Sequence, residues 1–149
     1  MQAGNRWWAM PACALVLALS GACNRTDPEE VLRTRFAALQ QAVEARDAGD
    51  VADFLAEDFI GNEGMDRDAA RRLAAGMFLR HRQVGVASGP LQVRMHGQDS
   101  ASLQFDAALT GGSGGMLPQQ AQWYRVETGW RLQDGEWRMI SAQWSPRLK

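Results

Sequence analysis

Apolar residues recur along this chain with two different periods, and the switch between them divides it into two parts. Leu32, Phe36, Leu39 and Val43 are spaced by four, three and four positions, which is the stripe of an amphipathic helix. Asp27-Pro28-Glu29-Glu30 precedes that stripe. Asp27 suits the cap, Pro28 the first helical position and Glu30 the reciprocal place in a capping box. Gly49 is expected to end this helix as a left-handed cap. Asp50 then caps a short second helix carrying Val51, Phe54 and Leu55, and Asp58-Phe59-Ile60-Gly61 reads as a brief extended piece. Asp66 caps a third helix, on which Ala70, Leu73, Ala74, Met77, Phe78 and His81 share one face. His81 is the one polar member of that face. Residues 85–90 read as a break.

From Leu91 the period becomes two. Leu91, Val93 and Met95 alternate with Gln92, Arg94 and His96, and Gly97-Gln98-Asp99-Ser100 turns the chain. Ala101, Leu103, Phe105, Ala107 and Leu109 repeat the alternation. The Gly111–Gly115 run, closed by Pro118, is expected to be a loop, and a long strand should follow from about Gln120 to Leu132. Asp134-Gly135 is a strong signal for a two-residue type I′ hairpin turn. It fixes the register with the last strand, Glu136 to about Trp144. Leu132 should face Trp137, Trp130 should face Met139 and Thr128 should face Ser141 on one side. Arg131 with Arg138, Glu127 with Ala142 and Arg125 with Trp144 fall on the other. Ile140 and Trp144 interrupt that polar side, which calls for a bulge near Ser141 or a covering partner. Three helices followed by four antiparallel strands predict an α+β domain over residues 28–149, its helices packed on one face of a curved sheet.

The first 22 residues stand outside this scheme. A start carrying Arg6 leads into the apolar run Ala12–Leu19 and then into small residues, the layout of an export signal peptide. The run is shorter than a membrane span requires. Leu19-Ser20-Gly21-Ala22-Cys23 resembles the lipobox of bacterial lipoproteins, with Leu four rather than three places before the Cys. The resemblance implies diacylglyceryl attachment to Cys23 and cleavage before it, leaving residues 23–27 as a short tether. Ser20-Gly21-Ala22 also fits an ordinary signal-peptidase site. Asn24 after the Cys implies sorting to the outer membrane, facing the periplasm, rather than retention at the inner membrane. Of the two cysteines, Cys13 leaves with the leader. Cys23 is then the only thiol left, so no intrachain disulfide is possible. Two acyl chains give the stable anchoring that one does not.

The net charge is −1, with 46% apolar and 22% charged residues. This suits a folded domain and argues against a polybasic nucleic-acid binder. Arg67, Arg71, Arg72, Arg80 and Arg82 make the third helix basic. They read as a solvated face, with acidic lipid headgroups as the partner they would suit. Two His 15 positions apart and no H-E-x-x-H give no metal site, and Gly111–Gly115 lacks the G-K-[ST] of a phosphate loop; no cofactor is expected. Four of six Trp lie in the last two strands. Each removes about 150–250 Å² from water when buried, roughly 4–6 kcal/mol before entropy is subtracted, so they read as core.

Gly49-Asp50 between the first helices, with Trp130-Arg131-Leu132-Gln133-Asp134-Gly135-Glu136-Trp137-Arg138 near the end, resembles the nuclear transport factor 2-like superfamily over about residues 28–145. The resemblance implies a cystatin-like cone, a curved sheet around helices that opens into an apolar pocket. Its members include steroid isomerases, polyketide cyclases and dehydratases, and many that only bind. The isomerases' carboxylate base falls nearest to Glu63. Their tyrosine on the first helix has no counterpart, since Phe36 lies there and the only Tyr is Tyr124. The dehydratases' His–Asp pair would be His81 and Asp106. Glu63 and His81 are therefore the candidate catalytic residues, and Tyr124, Trp130 and Met77 the candidate ligand contacts. The expectation is a lipid-anchored envelope protein that binds a small apolar ligand or a protein partner without catalysis. The alternatives are an isomerase, cyclase or dehydratase, and a structural module pairing as a homodimer through the outer sheet face, with Trp123, Arg125, Glu127, Arg131 and Trp144.

Overall fold

The computed structural model describes residues 25–112 and 123–147. The expected leader, Cys23, most of the glycine loop and the start of the following strand lie outside them. Helices α1 (Pro28–Glu44) and α2 (Ala48–Asp53) lead into strand β1 (Leu55–Ile60) and a single 3-10 turn at Asn62–Gly64. Helix α3 (Arg67–Arg80) follows, and then β2 (Gln83–Ser88), β3 (Gln92–Met95), β4 (Ser100–Gly112), β5 (Trp123–Gln133) and β6 (Glu136–Pro146). The sheet has six strands in the order β1-β6-β5-β4-β2, with β3 also on β4. The α+β expectation holds, but the sheet is mixed rather than wholly antiparallel, because β1 runs parallel to β6.

Both extra strands come from segments whose pairing partners are distant. The extended piece expected at Asp58–Gly61 is, up to Ile60, the end of β1, which pairs along β6. The expected break at residues 85–90 is mostly β2, paired with the far half of β4 from Gln83↔Gly112 to Ser88↔Ala107. The true break is at Gly89-Pro90. There Gly89 still donates to the Asp106 carbonyl, whereas Pro90 has no N–H to give. Beyond it β3 pairs with the near half of β4. Gly111 and Gly112, expected in a loop, belong to β4.

Asp27, Asp47 and Asp66 cap the three helices, accepting from Glu29, Asp50 and Ala69 backbone N–H groups. The cap of α2 is thus Asp47 and not Asp50, and Gly49 lies inside that helix. The left-handed residue that ends α1 is Arg46, at φ 60°. Arg46 N–H reaches the Val43 carbonyl and Asp47 N–H the Ala42 carbonyl, which makes a Schellman motif. A non-glycine residue costs roughly 1 kcal/mol or more in this conformation. Arg46 offsets that with two guanidinium bonds, to the Phe78 and Arg82 carbonyls at 2.7 and 2.8 Å. These hold the end of α1 against the end of α3.

The core lies between α1 and the sheet. Leu32, Phe36 and Leu39 are buried as the stripe predicts, and the Phe36 ring meets Phe105 edge-on with centroids 4.8 Å apart. Trp130 and Trp137 are wholly enclosed. Asp134 and Gly135 both have positive φ, as a type I′ turn requires. Leu132↔Trp137, Arg131↔Arg138 and Trp130↔Met139 pair as expected. The register then slips between Trp130 and Gly129, so that Gly129 faces Ser141 and Thr128 faces Ala142. Thr128 therefore does not face Ser141, nor Glu127 Ala142, nor Arg125 Trp144. Ile140 is the extra residue of a bulge. The slip reverses the facing of every later residue on β6, turning Ala142 and Trp144 toward the core. The interrupted pattern on β6 is thereby explained without a covering partner.

Gly129 is required at this bulge. A Cβ there would stand 2.6 Å from Ser141 Oγ, which accepts the Gly129 N–H at 3.2 Å. Gly129→Ala is expected to cost about 1–3 kcal/mol. Ser141→Ala makes room for that methyl, so the double variant should lose less than the sum of the single losses in urea denaturation. Strict additivity would contradict the clash.

Candidate functional site

The expected site residues lie apart. Glu63 sits exposed in the 3-10 turn at φ 57°. That turn is pinned by its neighbour Asn62, whose amide donates to the Trp144 carbonyl at 2.7 Å and accepts the Trp144 N–H at 3.0 Å. The Asn62 side chain thus extends the ladder of β6. His81 is the C-cap of α3 in extended backbone, half-buried. Among the described residues Glu63 and His81 share no hydrogen bond or ion pair. Asp106, the other half of the implied His–Asp pair, instead accepts from Arg125 and Arg147.

Tyr124 and Met77 are half-buried on β5 and α3, and the Tyr124 hydroxyl has no partner among the described residues. Trp130 is 0% exposed and donates its indole N–H to Thr128 Oγ1 at 2.8 Å. This makes it a core residue with no free polar handle, rather than a ligand contact. On the outer face Trp123, Arg125 and Glu127 are exposed and Arg131 is half-exposed. Trp144 is not with them, for the reason given by the bulge.

A different set of residues converges. Beside the β5–β6 hairpin lies an open cleft of about 910 Å³, lined from α1, the end of α2, β1, the start of α3 and the hairpin itself. Four arginines reach it, and each is fixed by a bond. Arg35 packs its guanidinium over the Phe54 ring, 4.1 Å from the centroid, and donates to the Trp137 carbonyl. Arg67 donates to the Ala52 carbonyl at 3.0 Å and Arg138 to the Asp53 carbonyl at 2.7 Å. These two cover the carbonyl end of α2, where the helix dipole favours cations. Arg131 pairs with Asp58 at 2.8 Å, Arg67 with Asp53 and Arg138 with Glu136. Glu57 and Asp134 also line it, without an ion pair among the described residues. Fixed guanidiniums keep spare N–H donors beside free carboxylates. Such a cleft suits a polar ligand of mixed charge better than an apolar one.

Sequence reasoning passed over this cleft although one signal was present. The hairpin register sets Arg131 opposite Arg138, and like charges opposed across a strand pair repel unless acids compensate. The acids come from Asp58 on β1 and from Glu136. The Arg131 hydrogen bond holds the Asp58 carboxyl below its usual pKa of 3.8.

No family model matches the sequence, and no curated protein matches it. Solved structures do match. A candidate scytalone dehydratase from Novosphingobium aromaticivorans superimposes with a TM-score of 0.72 at 12% identity, over 80% of this chain and 84% of that one. A nuclear transport factor 2-like protein of unknown function from Pseudomonas putida does so with 0.66 at 21%, over 81% and 87%. A protein of unknown function with a cystatin-like fold from Nostoc punctiforme gives 0.62 at 13%, over 80% and 90%. The chain has the nuclear transport factor 2-like, or cystatin-like, fold.

Asp58 titrates lower in the folded chain than in the unfolded one. Its contribution is therefore complete above the ordinary value of 3.8 and is lost as the pH falls through the depressed one. Asp58→Asn should lower stability slightly in urea titrations at neutral pH and lose that effect under strongly acid conditions. An equal effect at both would contradict the pair.

Proposed function

We propose that the chain is a lipid-anchored cell-envelope protein that binds a polar partner and catalyses nothing. Cys23 ties it to a bilayer, most naturally the outer membrane on its periplasmic side. The partner is a protein segment carrying both charges, received in the cleft between the hairpin and the end of α2. The single observation that carries this reading is the cleft, with four anchored arginines beside two carboxylates that have no ion pair among the described residues. Glu63 in the 3-10 turn and His81 at the end of α3 stand on separate elements, which speaks against the two working as a paired acid and base.

A second reading has one supporting observation. Tyr124, paired across the sheet with Ala107 and Pro146, carries a hydroxyl without a partner among the described residues, and a structural neighbour is described as a candidate scytalone dehydratase. In that reading Tyr124 and Met77 hold a small apolar ligand, and Glu63 or His81 acts on it as in an isomerase, cyclase or dehydratase. A third reading, homodimerisation through Trp123, Arg125 and Glu127, retains a smaller surface than the sequence suggested. Nucleic acid is no part of any of these readings.

Two experiments test the first reading. Radiolabelled palmitate should enter the wild-type chain and not Cys23→Ser; equal labelling of both would remove the anchor. A photo-crosslinking residue placed at Glu57 should give a discrete protein adduct in cells, and one at Arg94 on β3 should not. Adducts absent from Glu57, or equal at both positions, would remove the cleft as the binding surface.

A further inference from the structure

The basic helix α3 has an outer face that the fold leaves open. At about 100° per residue, Arg72, Gly76, Leu79, Arg80 and Leu73 gather on the side opposite the buried Phe78. Leu79 is 87% exposed and Leu73 45%, and a Cβ built on Gly76 would meet nothing within 4 Å among the described residues apart from its chain neighbours and its own helix backbone. Arg71, Arg72, Arg80 and Arg82 are exposed, and none of their guanidiniums has an ion pair among the described residues. Asp68, one turn before Arg72, is the only acid of α3. A leucine this exposed between unpaired arginines is the composition of a surface that inserts its apolar tips among acidic headgroups.

We propose that this face of α3 docks the domain onto an anionic bilayer surface, with Leu79 and Leu73 entering the headgroup layer and Arg72 and Arg80 meeting lipid phosphates. Charge complementarity selects the partner, since each basic side chain near an anionic bilayer adds attraction within a Debye length. Chain length permits it. Five peptide steps separate Cys23 from Pro28, a reach of at most about 17 Å. If Cys23 is acylated, some face of so closely held a domain must meet the bilayer. The choice of lipid rests on the anchored reading above.

The test reconstitutes the full processed chain into vesicles of phosphatidylcholine alone or with phosphatidylglycerol. A polarity-sensitive fluorophore is placed on the introduced thiol of Leu79→Cys or, as a control, of Gln98→Cys, exposed in the turn after β3. On anionic vesicles the label at position 79 should shift to the blue and be quenched by lipid-borne nitroxide, while the label at 98 should not. Adding Arg72→Glu and Arg80→Glu should reduce the quenching at least tenfold. A label at 79 that stays in water on anionic vesicles overturns the proposal and leaves the patch to an acidic protein. Equal protection on both vesicle types also overturns it, because charge then plays no part. The intact mass of the purified chain reports acylation separately. A leaderless chain with Cys23→Ser, whose one remaining thiol is the introduced one, keeps the docking and removes only the anchor if it still shows the shift when added to anionic vesicles.

Discussion

One extra residue in the last strand governs the shape of this domain. The two-residue turn at Asp134-Gly135 locks the end of the β5–β6 ribbon, placing Trp130 and Trp137 in the core. Ile140 then shifts the pairing by one position. Without that shift, Trp144 would face water and Ser141 would occupy the place of Ala142. With it, one strand presents Trp137, Met139, Ala142 and Trp144 to the core in sequence. A bulge also strengthens local twist, which suits a sheet that must curve around helices. The same strand carries β1 in parallel on its other edge, so the sheet rim and the Asn62 clasp both depend on its course.

Arginine is the second recurring device. Arg46 reaches the carbonyl end of α3, while Arg67 and Arg138 reach that of α2. Each meets carbonyls that a helix terminus leaves unbonded, and each ties that terminus to an element distant in sequence. The ion pairs that accompany them are exposed and individually worth little. Their effect is to fix guanidinium positions, and a fixed guanidinium with donors to spare recognises ligands better than a free one. The polar cleft is a by-product of this stapling, and it is where the proposed binding surface lies.

Much of the fold was legible in the sequence, and the reasons for the failures are physical. The aspartate caps at Asp27 and Asp66, the stripe of α1 and the turn at Asp134-Gly135 depend on neighbouring residues alone, and all of them hold. Gly49 misled because a glycine advertises a left-handed bend, whereas Arg46 makes one through bonds to carbonyls more than thirty positions away. Strand β2 was missed, and β1 was read only at its end, because their partners lie far along the chain and neither alternates cleanly. On α3 the expected apolar face is only partly used, since Phe78 alone is buried. The candidate site was hardly legible. Glu63 and His81 were drawn from resemblance and from one helical face, while the cleft is assembled from five elements that no local spacing connects.

The parity of β6 is the claim on which the core, the clasp at Asn62 and the outer face all rest. Cross-strand nuclear Overhauser contacts in the folded protein test it most directly. The account predicts contacts between Trp130 and Met139 and between Thr128 and Ala142, with none expected of a Thr128–Ser141 pair. Thr128 found opposite Ser141, in an unbroken register from the turn, would contradict it.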